Sequence, residues 1–175
     1  MSRIQRRQFL IVTGAFLAAP LARAQAPSSP VIGYLSNSTA ISSSHLIAAL
    51  RRGLSEAGYV DGKSVAIEYR YGDGRAEQLP GFVADLASRQ VSVIVATGGP
   101  TTWVPAKAAN ATIPLVFTGG GDPVKLGLVA SLGRPGGNAT GVTTNSYGLL
   151  PKRLQLLREL VPTATIVSVL VTFMT

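Results

Sequence analysis

The chain has 175 residues, enough for one good core or for one domain and part of another. Its composition, 46% hydrophobic and 14% charged with 19 glycines, suits an α/β domain and excludes a disordered chain, and the absence of cysteine excludes disulfides, thiolate metal sites and a cysteine nucleophile. The formal charge is +8, but Arg3, Arg6, Arg7 and Arg23 lie in the first 26 residues; without them 12 bases minus 8 acids leave +4, no basic cluster is interleaved with aromatics, and no nucleic-acid partner is expected.

Residues 1–26 read as an export signal. Arg3, Arg6 and Arg7 form a basic start, residues 9–21 are apolar, and Ala22-Arg23-Ala24 places small residues where a signal peptidase cuts. Cleavage after Ala24 is preferred, because cleavage after Ala26 puts Pro27 just past the scissile bond. The run RRQFL at 6–10 resembles the twin-arginine export motif; an ordinary Sec signal with adjacent arginines is the alternative. The apolar run is short for a membrane span and holds Gly14 and Pro20. Residues 27–30 form a linker.

Residues 31–35 (VIGYL) give the first strand, ending in the polar loop Ser36, Asn37, Ser38. Ser43 or Ser44 can cap the next helix, where Leu46, Ile47, Leu50 and Leu54 share a face. Val65, Ile67, Tyr69 and Tyr71 alternate with polar residues, the pattern of an edge strand closed by Gly72-Asp73-Gly74. Leu79, Phe82, Val83 and Leu86 mark a second amphipathic helix. Residues 92–96 (SVIVA) are short, apolar and β-branched, as a central parallel strand would be, and a helix is expected over 103–110. Residues 114–117 repeat the strand pattern, a short helix is expected over 124–132, and strands are expected over 140–144 and 165–171 on either side of a helix over 147–161. The β-α alternation predicts right-handed crossovers and a doubly wound parallel sheet.

In such a sheet the ligand edge lies at the strand C-termini. Gly98, Gly99, Thr101 and Thr102, at the start of a helix, can form an anion site or simply a tight turn with a helix cap. Gly120 and Asp122 can present backbone donors and a carboxylate to a ligand amine, or Asp122 can cap the helix expected after it. The loop at Gly98 to Thr102 is neither a Walker nor a Rossmann motif. His45, the single histidine, reads as solvated, and Trp103 as packing between helix and sheet. No metal cluster, cofactor motif or nucleophile elbow stands out, so no cofactor is expected and the chain does not read as an enzyme. Asp122 with His45 is the one pair worth testing for catalysis.

Several stretches, GLSEAGYVDG at 53–62, VAIEYR at 65–70, GDPVKLGLVASL at 121–132, RPGGN at 134–138 and KRLQLLRELVP at 152–162, resemble the ABC-transporter solute-binding proteins of the tryptophan/tyrosine-binding type. The resemblance covers nearly all of the chain after the leader. It implies a periplasmic receptor of the type I periplasmic-binding-protein fold, which traps a small solute between two lobes and delivers it to an ABC permease in the inner membrane. It also implies that the loops after the first, third and fourth strands line the cleft: Ser36 to Ser38, Gly98 to Thr102, and Gly119 to Asp122. Residues 31–145 would be the N-terminal lobe and 146–175 the connecting helix and first strand of a second lobe that is largely missing. The strand over 165–171 would then lack its partners and could template edge pairing.

Overall fold

Five short runs of β-branched and aromatic residues pair into one sheet in the computed structural model, which describes residues 29–110, 112–144 and 146–168. The strands are β1 (Val31–Ser36), β2 (Ala66–Tyr71), β3 (Val93–Thr97), β4 (Leu115–Gly119) and β5 (Ala139–Thr143). Every pairing is parallel and the order is β2-β1-β3-β4-β5. The helices are α1 (Ser44–Glu56), α2 (Leu79–Ser88), α3 (Pro100–Ala108) and α4 (Leu150–Leu160). The expected α/β class, parallel sheet and edge position of β2 are all present. The order reverses at β1, so the chain leaves β1 toward one edge and returns at β3 on its other side. That reversal is the topological switch point of an open α/β sheet.

The two faces of the sheet are covered unequally. Gly33, Leu35, Ile94, Ala96, Leu115 and Phe117 fall in register on one face. Leu79, Val83 and Leu86 of α2 and Trp103 and Ala106 of α3 close over it, all fully buried. Gly33 has to be small here, because a Cβ would stand 2.9 Å from Leu86 Cδ1. At the β2 edge the Asp85 carboxylate of α2 accepts hydrogen bonds from Arg70 and Arg89, and both arginines pair with Glu68. The bonds from Arg70 chiefly, with Arg89 adding to them, hold the Asp85 carboxyl below the ordinary carboxylate range against the opposing effect of desolvation.

On the opposite face Tyr34, Tyr69 and Tyr71 cluster under α1, with the Tyr69 and Tyr71 rings stacked 6.2 Å apart. The Arg51 guanidinium of α1 lies 5.6 Å from the Tyr69 ring centroid. Burial pushes both the Tyr69 and Tyr71 phenols up. No α1 residue is fully buried, so its apolar stripe rests on the sheet without closing it. No described helix covers this face over β4 and β5, where Val142 is 71% exposed.

Two expectations differ from the structure. Residues 124–127 form turns and 128–132 are irregular, where a helix is expected from the sequence. One turn forms after Pro123, with Leu126 N–H donating to Asp122 O. Gly127 then adopts φ +69, and Leu128 and Val129 N–H fold back onto Pro123 O. A left-handed glycine ends a helix in this way, and it drops Leu128 and Val129 into the core beside Phe117. Residues 165–168 make no strand, and Ile166 is 83% exposed. A strand needs a ladder partner, and residues 165–168 pair with none of the described strands; the rest of that run lies outside the described residues, as does the export signal. Among the described residues no helix is long and apolar enough to cross a membrane.

Candidate ligand-binding cleft

Because β1 lies between β2 and β3, the loops after these three strands meet at one edge. Between them is an open cleft of about 430 Å³. Asn37, Ser38, Thr39 and Ser42 line it from the β1 loop. Asp73 and Gly74 line it from the β2 loop, and Gly98 and Thr101 from the β3 loop and the start of α3.

The β1 loop is tied to both neighbours. Gly72 N–H donates to Ser36 O and Gly74 N–H to Asn37 O, at 2.8 and 2.7 Å, which staples it to the β2 loop. On the other side Asn37 N–H donates to the Thr102 hydroxyl at 3.2 Å. Below them Ser36 Oγ, buried, accepts from Ser38 N–H and lies 3.3 Å from Ser43 Oγ. Thr97 and Tyr34 hydroxyls share a hydrogen bond of 2.9 Å one layer down. The cleft floor is therefore preformed by bonds among strand ends, as a binding site with little to order on ligand entry requires.

The predicted residues divide into three groups. Asn37, Ser38, Gly98 and Thr101 face the cleft. Ser36 and Thr102 lie beneath it and hold the loops together; Thr102 is fully buried and its hydroxyl is committed to Asn37. Gly99, Gly120 and Asp122 are not among the lining residues. Gly99 is the cap of α3, with Pro100 in the first turn, so the two threonines expected as caps are already inside the helix. The two glycine-rich loops pack on each other, backbone to backbone. A Cβ on Gly119, at φ +148, would come within 2.8 Å of Gly99 N, and one on Gly121 within 3.2 Å of the Trp103 ring. Trp103 is fully buried under them, donating its indole N–H to Thr118 O at 3.3 Å. Asp122 Oδ1 accepts from Val124 and Lys125 N–H, so its carboxylate serves its own turn. His45 is exposed on α1. Among the described residues no group of His, Asp and Glu could hold a metal.

Thr39, Ser42, Asp73 and Gly74 also line the cleft, beyond the residues expected from sequence. The hydroxyl-rich run before α1 carries a signal for the first two. The β2 loop reads in sequence only as a closing turn, since the sequence does not say that β2 neighbours β1.

Fold and edge together define a doubly wound α/β lobe with a cleft at its topological switch point. The model of the family described as ABC transporter substrate binding protein matches residues 42–172, and the chain belongs to that family. A tyrosine-binding protein of Clostridioides difficile is 34% identical over 121 residues, 68% of this chain and 34% of the relative. Among solved structures, an ABC domain in complex with L-Trp from Streptococcus pneumoniae is 26% identical with a TM-score of 0.61, over 66% of this chain and 39% of that one. A conserved domain protein from Vibrio cholerae, 24% identical, shares the fold with a TM-score of 0.67 over 77% of this chain and 44% of that one. The chain thus spans less than half the length of each of these relatives.

Proposed function

We propose that this chain forms one wall of an extracytoplasmic solute receptor that serves an ABC importer, with an amino acid as the solute. The observation that carries this reading is the preformed cleft at the switch point, lined by hydroxyl, amide and glycine groups of the β1, β2 and β3 loops. Such a surface can position the polar end of a small zwitterion by many short hydrogen bonds and needs no reactive group. Family membership, the tyrosine-binding relative and the L-Trp-bound neighbour support it. In this reading residues 1–26 direct export to the periplasm, residues 31–145 are the first lobe, and residues 146–175 lead toward a second lobe that supplies the opposite wall and, with the first, meets the permease. The exposed apolar stripe of α4, with Leu150, Leu154 and Leu157 each about 40% exposed, suits a helix that packs on further chain. A second reading, a non-functional fragment of such a receptor, draws on the same stripe.

Calorimetric titration with a panel of amino acids, L-tryptophan and L-tyrosine included, tests the proposal. With one wall open to water the 175-residue chain should bind more weakly than about 1 μM. Thr101→Ala should weaken that binding by about 1–3 kcal/mol, the loss expected for a hydrogen bond to a charged group. No heat with any amino acid would favour the fragment reading, and unchanged affinity in Thr101→Ala would move the site elsewhere.

A further inference from the structure

We propose that Asp73 selects for a cationic group on the solute, so that the corner of the cleft between the β1 and β2 loops receives an ammonium. The inference rests on the receptor reading and adds the orientation of the solute to it.

Asp73 is the one ionisable side chain among the described residues that line the cleft. Its backbone is in the left-handed region, at φ +50, between Gly72 and Gly74, where a third glycine would fit without strain. Asp73 and Gly74, both at φ > 0, are the central pair of a turn closed by Arg75 N–H on Gly72 O, a place Asp-Gly favours, and the turn fixes where the carboxylate stands. The carboxylate caps no helix. The 3-10 turn Ala76–Gln78 and α2, the next elements in the chain, are capped by no side chain, and among the described residues Asp73 has no hydrogen bond or ion pair. Asp122 is the contrast, since its carboxylate is spent on two backbone amides and faces Lys125.

The surroundings decide the sign of the ligand group. In this corner the backbone N–H donors of Asn37, Ser38, Gly72, Gly74 and Arg75 are all bonded within the protein. Asn37 Oδ1, packed against Gly72, has no donor. The one formal charge at this corner of the cleft is therefore the Asp73 carboxylate. A carboxylate placed there would meet the like charge of Asp73 with no cationic lining residue to offset it, whereas an ammonium brings three donors and the opposite charge. Carboxylate recognition then falls to the other side of the cleft, at Gly98 and Thr101.

Low-affinity calorimetry on the full chain with three probes tests this: L-tryptophan, tryptamine, which lacks the carboxylate, and indole-3-propionate, which lacks the ammonium. The expected result is binding of L-tryptophan and tryptamine, with indole-3-propionate about tenfold weaker than L-tryptophan or worse. In Asp73→Asn, which keeps the shape and tolerates the left-handed backbone, L-tryptophan and tryptamine should fall about tenfold while indole-3-propionate holds or gains. Asp73→Gly, which relaxes the backbone, should behave the same way. Wild-type protein that binds L-tryptophan and indole-3-propionate equally, or Asp73 variants that bind L-tryptophan as wild type does, would overturn the inference and leave the receptor reading standing. No binding of any probe by wild type would overturn both.

Discussion

The two faces of the sheet are built by the same strands and have different fates. Beneath α2 and α3, alternate residues of β1, β3 and β4 are at most 2% exposed and meet Trp103, Leu86 and Val83 in close contact. On the reverse face burial is confined to the part near β1, with Ile32 and the tyrosines, and toward β5 Val142 is mostly in solvent. The difference shows where the rigidity of the cleft comes from. The loop after β3 is held from below by the closed face, through Trp103 and the paired glycine loops, while the loop after β1 is tied to Thr102 and rests on the Ser36 and Tyr34–Thr97 bonds of the other face. The open face is buried around β1, at Ile32, Tyr34, Ser36 and Thr97, and its β5 end is free to meet other chain.

The largest test of this contrast is Trp103→Ala. It empties the closed face under both glycine loops and removes the bond to Thr118 O, and should cost about 3–5 kcal/mol in denaturant unfolding. A loss of less than about 1 kcal/mol would mean that the loops are held some other way.

A smaller effect is expected at the β2 edge of the same face. The Asp85 carboxyl is held below its ordinary value in the folded state, so its stabilising contribution is present above the unfolded value and is lost as pH falls through the folded one. Asp85→Asn should therefore melt below wild type at pH 7, with the gap narrowing below about pH 4. A gap that widens in acid would reverse the assigned sign. Because Asp85 is 41% exposed, the shift in melting temperature should be modest.

The smallest change belongs to the open face. Val142→Ala should alter the unfolding free energy by no more than about 0.5 kcal/mol, as for surface positions without special contacts. A loss of about 2 kcal/mol or more, beyond that surface range, would show that something covers β5.

The strands are legible in the sequence because their signal is local. Residues 92–96 are too short and too β-branched for a buried helix, residues 114–117 are a short apolar run just after a proline, and β2 shows its half-wet alternation. The stretch over 124–132 reads as a helix because Val124, Leu128 and Val129 are helical in spacing, while one glycine at φ +69 decides the outcome. At the site, polar loops at strand ends are visible in the sequence, but which loops converge depends on strand order. Asp73 enters the cleft because β2 lies beside β1, and Asp122 leaves it because its loop folds onto Gly99 and Trp103. Thr102 looks like a ligand donor in sequence and is a tie between loops in the structure, since a hydroxyl's partner is set by tertiary contact.

The solute is expected where the β1, β2 and β3 loops meet. Backbone amide chemical shifts recorded during titration with L-tryptophan test this most directly. The largest changes should fall on Asn37, Ser38, Gly74, Gly98 and Thr101, with Val142 and the turn after Pro123 unmoved. Largest changes at Asp122 to Leu128, or on the open face around Val142, would contradict it.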